Sequence, residues 1–107
     1  MSQLTVKEVL IQARKKIEDP KNWCQVYAAL NQAGNPVEPD ELTACHFCAY
    51  GAIGSVAGLK NLKLKQETEK ILGNAAQSLF KVGVITVNDS MGHEAILKVF
   101  DKAIKSI

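Results

Sequence analysis

The residues with the most chemical potential in this 107-residue chain are three cysteines, two histidines and a single tryptophan. Cys45 and Cys48 stand in Cys-x-x-Cys spacing with His46 between them, while Cys24 and His93 lie well apart from that pair. Three thiols and two imidazoles are donors enough for a tetrahedral zinc ion. Zinc sites of that kind are built from paired knuckles, however, and only one pair is present. A thioredoxin-like site needs its first cysteine at a helix N-terminus, where the dipole lowers the thiol pKa. Pro39-Asp40-Glu41 reads as the helix start, well before Cys45. Neither a metal nor a cofactor is therefore expected, and Cys45 and Cys48 read as small packing residues inside an apolar helix.

A second cluster is Asn88-Asp89-Ser90-Met91-Gly92-His93. One helical turn separates Asp89 from His93, so the carboxylate could orient the imidazole. Joined to Cys48, this gives the sharpest enzymatic expectation: Cys48 as nucleophile, His93 as base and Asp89 as orienter of a thiol-dependent hydrolase or transferase. The simpler reading is that Asp89 caps the last helix and His93 is a polar residue in its first turn. A helix N-terminus disfavours a protonated histidine, and a mid-helix Cys48 is poorly exposed. No glycine-rich phosphate loop accompanies these residues. The triad is the alternative, and a non-catalytic protein is the expectation.

For a non-catalytic protein the candidate contact residues are Trp23, Asn88, Lys60, Lys63 and Lys65. A lone tryptophan can anchor a partner, although in a small domain it more often plugs the core. Lys60, Lys63 and Lys65 belong to a basic stretch: residues 59–81 carry five lysines against two glutamates, within a chain of net charge +2. That total is too small to imply a polyanion. Only Arg14 among the 13 basic residues is an arginine, which argues against nucleic acid. No run approaches the roughly 18 apolar residues of a membrane span. The N-terminus lacks the pattern of a secretory signal, and an odd cysteine count fits a reducing compartment. A cytoplasmic protein whose partner is another protein is expected.

The elements that must position these residues are mainly helical. Val6, Val9, Leu10, Ala13 and Ile17 form one stripe, opened by a Thr5/Glu8 capping box and closed by Asp19-Pro20. Ala33-Gly34-Asn35-Pro36 is a turn across which Leu30-Asn31 could pair with Val37-Glu38 as a small hairpin. A second helix is expected from Pro39 through Val56, rich in alanine and glycine, with Gly51 permitting close packing. Residues 59–65 read as a connector. A third helix follows over about 66–82, ended by Gly83. Val84-Ile85-Thr86-Val87 reads as a buried strand or extended connector. The last helix is expected over about 91–106, with Asn88, Asp89 and Ser90 as candidate caps. The sum is one mainly α domain over residues 1–107, a compact bundle of about four helices with a possible small β-hairpin.

In order along the chain stand Asp19-Pro20-Lys21-Asn22-Trp23, then Ala44-x-x-Phe47-Cys48-Ala49-x-Gly51-Ala52. Val87-Asn88-Asp89 follows, and then His93-Glu94-x-Ile96-Leu97-x-x-Phe100-Asp101-x-Ala103-Ile104. This order resembles a small family of bacterial and bacteriophage proteins known only as a domain of unknown function. The resemblance spans nearly the whole chain and implies a stand-alone domain of this size. Cys48 matches the family pattern, whereas Cys24 and Cys45 do not belong to it. A binding or accessory protein is the role expected, and a phage-derived or mobile-element inhibitor of a host protein is one form of it.

Overall fold

The computed structural model describes residues 4–58 and 61–107. Helix α1 spans Val6–Ile17. Its capping box is complete: the Glu8 N–H donates to Thr5 Oγ1 at 3.1 Å, and the Thr5 N–H donates to Glu8 Oε1 at 2.9 Å. A 3-10 turn over Pro20–Asn22 follows, with Asp19 accepting the Lys21 N–H. Strands β1 (Ala29–Leu30) and β2 (His46–Phe47) pair antiparallel, Ala29 with Phe47 and Leu30 with His46. Then come α2 (Ala49–Ala57), α3 (Leu62–Phe80) and α4, a single turn over Val84–Thr86. A π-helical turn over Val87–Met91 leads into α5 (His93–Lys105). The architecture is mainly α with a small antiparallel pair at one side.

The core is made by the stripes the sequence carries. Val9, Leu10, Ala13 and Ile17 of α1 are fully buried. They share one cluster with Ile53 of α2, Leu72 of α3 and Ile96, Val99 and Phe100 of α5. Burial of each of the larger side chains among these contributes roughly 1.5–3 kcal/mol, which is what holds the helices together. Arg14 adds a polar tie from α1 to α5, its guanidinium donating to Asp101 at 2.7 and 3.4 Å. The small residues of α2 let the chain before β1 lie directly on it. A Cβ built on Gly51 would sit 1.7 Å from the Ala28 carbonyl oxygen.

Several boundaries differ from the sequence reading. The second helix begins at Ala49, not Pro39. Residues 39–43 form turns instead, and Cys45 is tied by its N–H to the Leu30 carbonyl at 3.0 Å. Partners distant in sequence, from the Trp23–Leu30 segment, therefore claim the backbone of residues 45–48 before a helix can. The expected turn at Gly34 is present, with φ +85°. There Leu30 bridges Pro36, and the Val37 N–H donates to the Ala29 carbonyl at 3.1 Å. The segment 84–87 is helical rather than extended. Helix α3 starts at Leu62, because Asn61 accepts the Leu64 N–H as an N-cap. It ends on Lys81 in the left-handed region (φ 62°), with Gly83 instead opening α4.

Candidate functional site

Asn88 sits in the π-helical turn and is 2% exposed. A buried amide must spend two donors and two acceptor sites, and Asn88 spends all four. Its Oδ1 accepts from the Trp23 indole N–H at 2.8 Å and from the Ala49 N–H at 3.0 Å. Its Nδ2 donates to the Cys24 carbonyl at 3.1 Å and to Asp89 Oδ1 at 2.9 Å. One side chain thus joins the Trp23–Cys24 segment, the first residue of α2 and the turn before α5. The five-residue π turn is what aims it inward; such turns recur at functional sites.

Asp89 does not cap α5, as the sequence suggests. Gly92 stands at that cap with φ +99° and no side-chain cap bond. The carboxylate instead accepts the Val26 N–H at 2.9 Å. Gln25 Nε2 reinforces this arrangement, donating to the Asn88 and Asp89 carbonyls at 3.2 and 3.1 Å. Val26 is thereby held at φ +76°, a left-handed conformation that a β-branched residue rarely adopts.

Beneath Val26 opens an apolar cleft of about 190 Å³, whose walls include Cys48, Tyr50, Val84, Ile85 and Asp89. Cys48 is not inside a helix: it is the N-cap of α2, its sulfur accepting the Gly51 N–H at 3.3 Å. Burial nevertheless pushes its pKa up, and Asp89 pushes the same way, against the lowering effect of the Gly51 and Tyr50 N–H groups. Desolvation outweighs the helix end, and Cys48 is no ready thiolate. Cys24 is pushed up to about 11 by burial, then by Cys48 and Asp89. Tyr50 is raised by burial and by the charge of Glu69.

Of the proposed triad, Cys48 and Asp89 share the cleft wall. His93, the first residue of α5, is placed elsewhere: its Nε2–H donates to the Ile17 carbonyl at 2.6 Å, and its ring lies 5.3 Å from the Trp23 ring. Among the described residues no hydrogen bond joins Asp89 to His93. Trp23 is half-buried, locked by Asn88 on one side and His93 on another.

Lys63 and Lys65 stand in the first turns of α3, and Lys65 pairs with Glu69 at 2.8 Å. Lys60 lies outside the described residues. No cluster of three His, Cys, Asp or Glu side chains among the described residues could hold a metal. None of the described helices is long and apolar enough to cross a membrane.

Sequence reasoning singled out Trp23, Cys48, Asn88 and Asp89, and the fold gathers them. It missed Gln25, Val26, Tyr50 and Ile85. Nothing in a Gln-Val pair announces a strained turn, and Ile85 was hidden by the strand-like look of 84–87. No curated protein and no solved structure matches the chain. A family model does match it, over residues 1–106, and the chain accordingly belongs to the family of unknown function DUF6197.

Proposed function

We propose that this is a small, cytoplasmic, non-catalytic binding or accessory protein of bacterial or bacteriophage origin, which receives an apolar side chain of a partner protein in the cleft beneath Val26. The conformation of Val26 carries the reading. An L-residue in the left-handed region costs roughly 1–2 kcal/mol. The Asp89 carboxylate opposes that cost in order to hold an apolar side chain 75% exposed at the mouth of an apolar cleft. Strain of this kind collects at ligand clamps. Ile85, 62% exposed, lies on the same cleft wall and extends the apolar rim. Small-molecule pockets run to roughly 300–1,000 Å³, so a cleft of about 190 Å³ suits a side chain better. The reducing compartment is supported by the odd number of cysteines, three, and the origin by the motif order described above.

The test is affinity capture, followed by titration of the recovered partner. Val26→Lys and Ile85→Lys should weaken binding at least tenfold, while Leu42→Lys, at a fully exposed site away from the cleft, should not. Equal binding by all three variants overturns the reading. A thiol-dependent hydrolase or transferase is the second reading, favoured by Cys48 standing at the open end of α2 inside the cleft. His93 would then have to act through Nδ1. Rapid native alkylation of Cys48 at neutral pH, abolished by His93→Ala, supports that chemistry. A Cys48 inert until unfolding leaves the binding reading in place.

A further inference from the structure

Two of the three thiols are brought together by a pairing that the sequence does not show. Trp23 and Phe47 form a parallel bridge, closed by a bond from the Cys24 N–H to the Phe47 carbonyl at 3.0 Å. Cys24 and Cys48 are each the next residue along. The bridge is a single pair; strands so joined lie about 4.8 Å apart, and the residues that follow it on each chain leave that point as neighbours. A disulfide needs Cα atoms roughly 4.4–6.8 Å apart. Asn88 pins both chains at this point, through the Cys24 carbonyl and the Ala49 N–H. A charge on Cys48 opposes ionisation of Cys24, so the two sulfurs lie within each other's field. Cys45 belongs to the other end of β2, beside Leu30.

We infer that Cys24 and Cys48 form an intramolecular disulfide on exposure to a low-molecular-weight disulfide, with oxidised glutathione as the probe. One protein thiolate attacks a glutathione sulfur, giving a mixed disulfide and one glutathione thiolate. The other cysteine, deprotonated, attacks the protein sulfur of that mixed disulfide and expels the second glutathione thiolate. The protein loses two electrons and two protons, and two molecules of glutathione leave reduced and protonated. The loop so closed runs from 24 to 48 and contains only the two-residue strands β1 and β2. It has much freedom to lose in the unfolded chain, and cross-linking stabilises by removing that freedom. Oxidation also takes Cys48 from the Gly51 N–H and Cys24 from the Tyr27 carbonyl, to which its thiol donates at 3.3 Å. The cleft wall is therefore altered by the redox state.

The experiment incubates the full chain with oxidised glutathione at about pH 9, near the free-thiol pKa, and maps peptides without reduction. A Cys24–Cys48 linked peptide is expected, together with a melting temperature about 10 °C higher. Cys45→Ser should leave the link intact, and Cys24→Ser should stop at a glutathione adduct on Cys48. Separate adducts on Cys24 and Cys48 without a link, or a link that includes Cys45, overturns the inference. The wild-type map decides the matter even if a variant folds poorly.

Discussion

The indole N–H of Trp23 and the side-chain oxygen of Asn88 meet at 2.8 Å, joining positions 65 residues apart. With its three other bonds, Asn88 is the point where three segments are tied. Asn88→Ala strands the Trp23 and Ala49 donors and leaves a cavity, a loss of about 2–4 kcal/mol. Asn88→Asp is nearly isosteric but turns an oxygen toward the Cys24 carbonyl and the Asp89 carboxylate. Those neighbours raise the pKa of the new carboxyl in the folded state above its unfolded value. The folded state then holds the proton to higher pH, so the deficit of this variant is largest at neutral pH and shrinks as pH falls. Urea unfolding from pH 7 down to pH 4 checks this; a deficit that does not change with pH refutes it.

Two glycines should respond oppositely to alanine. At Gly51 the added methyl meets the Ala28 carbonyl oxygen, which is rigid backbone and also accepts the Cys48 N–H at 3.1 Å. Gly51→Ala should cost about 3 kcal/mol or more. Gly73 lies within α3 with nothing near the site of a Cβ. Gly73→Ala should add about 0.5–1 kcal/mol. Chemical denaturation of both variants reads the contrast.

Val26→Gly removes the left-handed penalty along with the exposed apolar side chain. Stability should rise by about 1 kcal/mol while partner affinity falls, the trade expected of a residue kept for contact. Asp89→Ala should lower both, because the Val26 N–H and Asn88 Nδ2 lose their acceptor. A Val26→Gly protein less stable than wild type would show that no strain is held there.

The raised thiol pKa values set an alkaline limit. In the unfolded chain Cys24 ionises near its ordinary value of 9.0, whereas in the fold it stays protonated up to about 11. Between those values the unfolded state holds fewer protons, so stability falls as pH rises. The contribution is whole below about pH 9 and gone by about pH 11, and Cys48 acts in the same direction. Thermal melts across that window should fall more steeply for wild type than for Cys24→Ser. Parallel curves would count against a half-buried, protonated Cys24.

What the sequence made legible was local. Thr5 and Glu8 sit three residues apart, and both of their cap bonds form. The stripes of α1 and α5 were readable for the same reason, since the helical period is a property of neighbours. The start of α2 was not, because Pro39-Asp40-Glu41 carries good start signals while Cys48 is a poor cap by type. What moves the boundary is pairing with residues near 23–30, and no local pattern encodes that. The run 84–87 failed for want of length: four residues, three of them apolar, carry no period. At the site, residue types marked Trp23, Cys48, Asn88 and Asp89. Their roles came only from the fold, which turned Asp89 from a helix cap into the holder of Val26 and sent His93 to Ile17.

Because Trp23 is the only tryptophan, indole emission, excited where the two tyrosines do not absorb, has a single source, wired into the asparagine that ties the site together. Its emission reports one place rather than an average. Loosening of the Asn88 tie frees the indole N–H to water and shifts the spectrum to the red, and a change in His93, 5.3 Å away, alters its intensity. Occupancy of the cleft and oxidation of Cys24, the residue beside Trp23, can therefore be followed in solution by light alone, with no label attached.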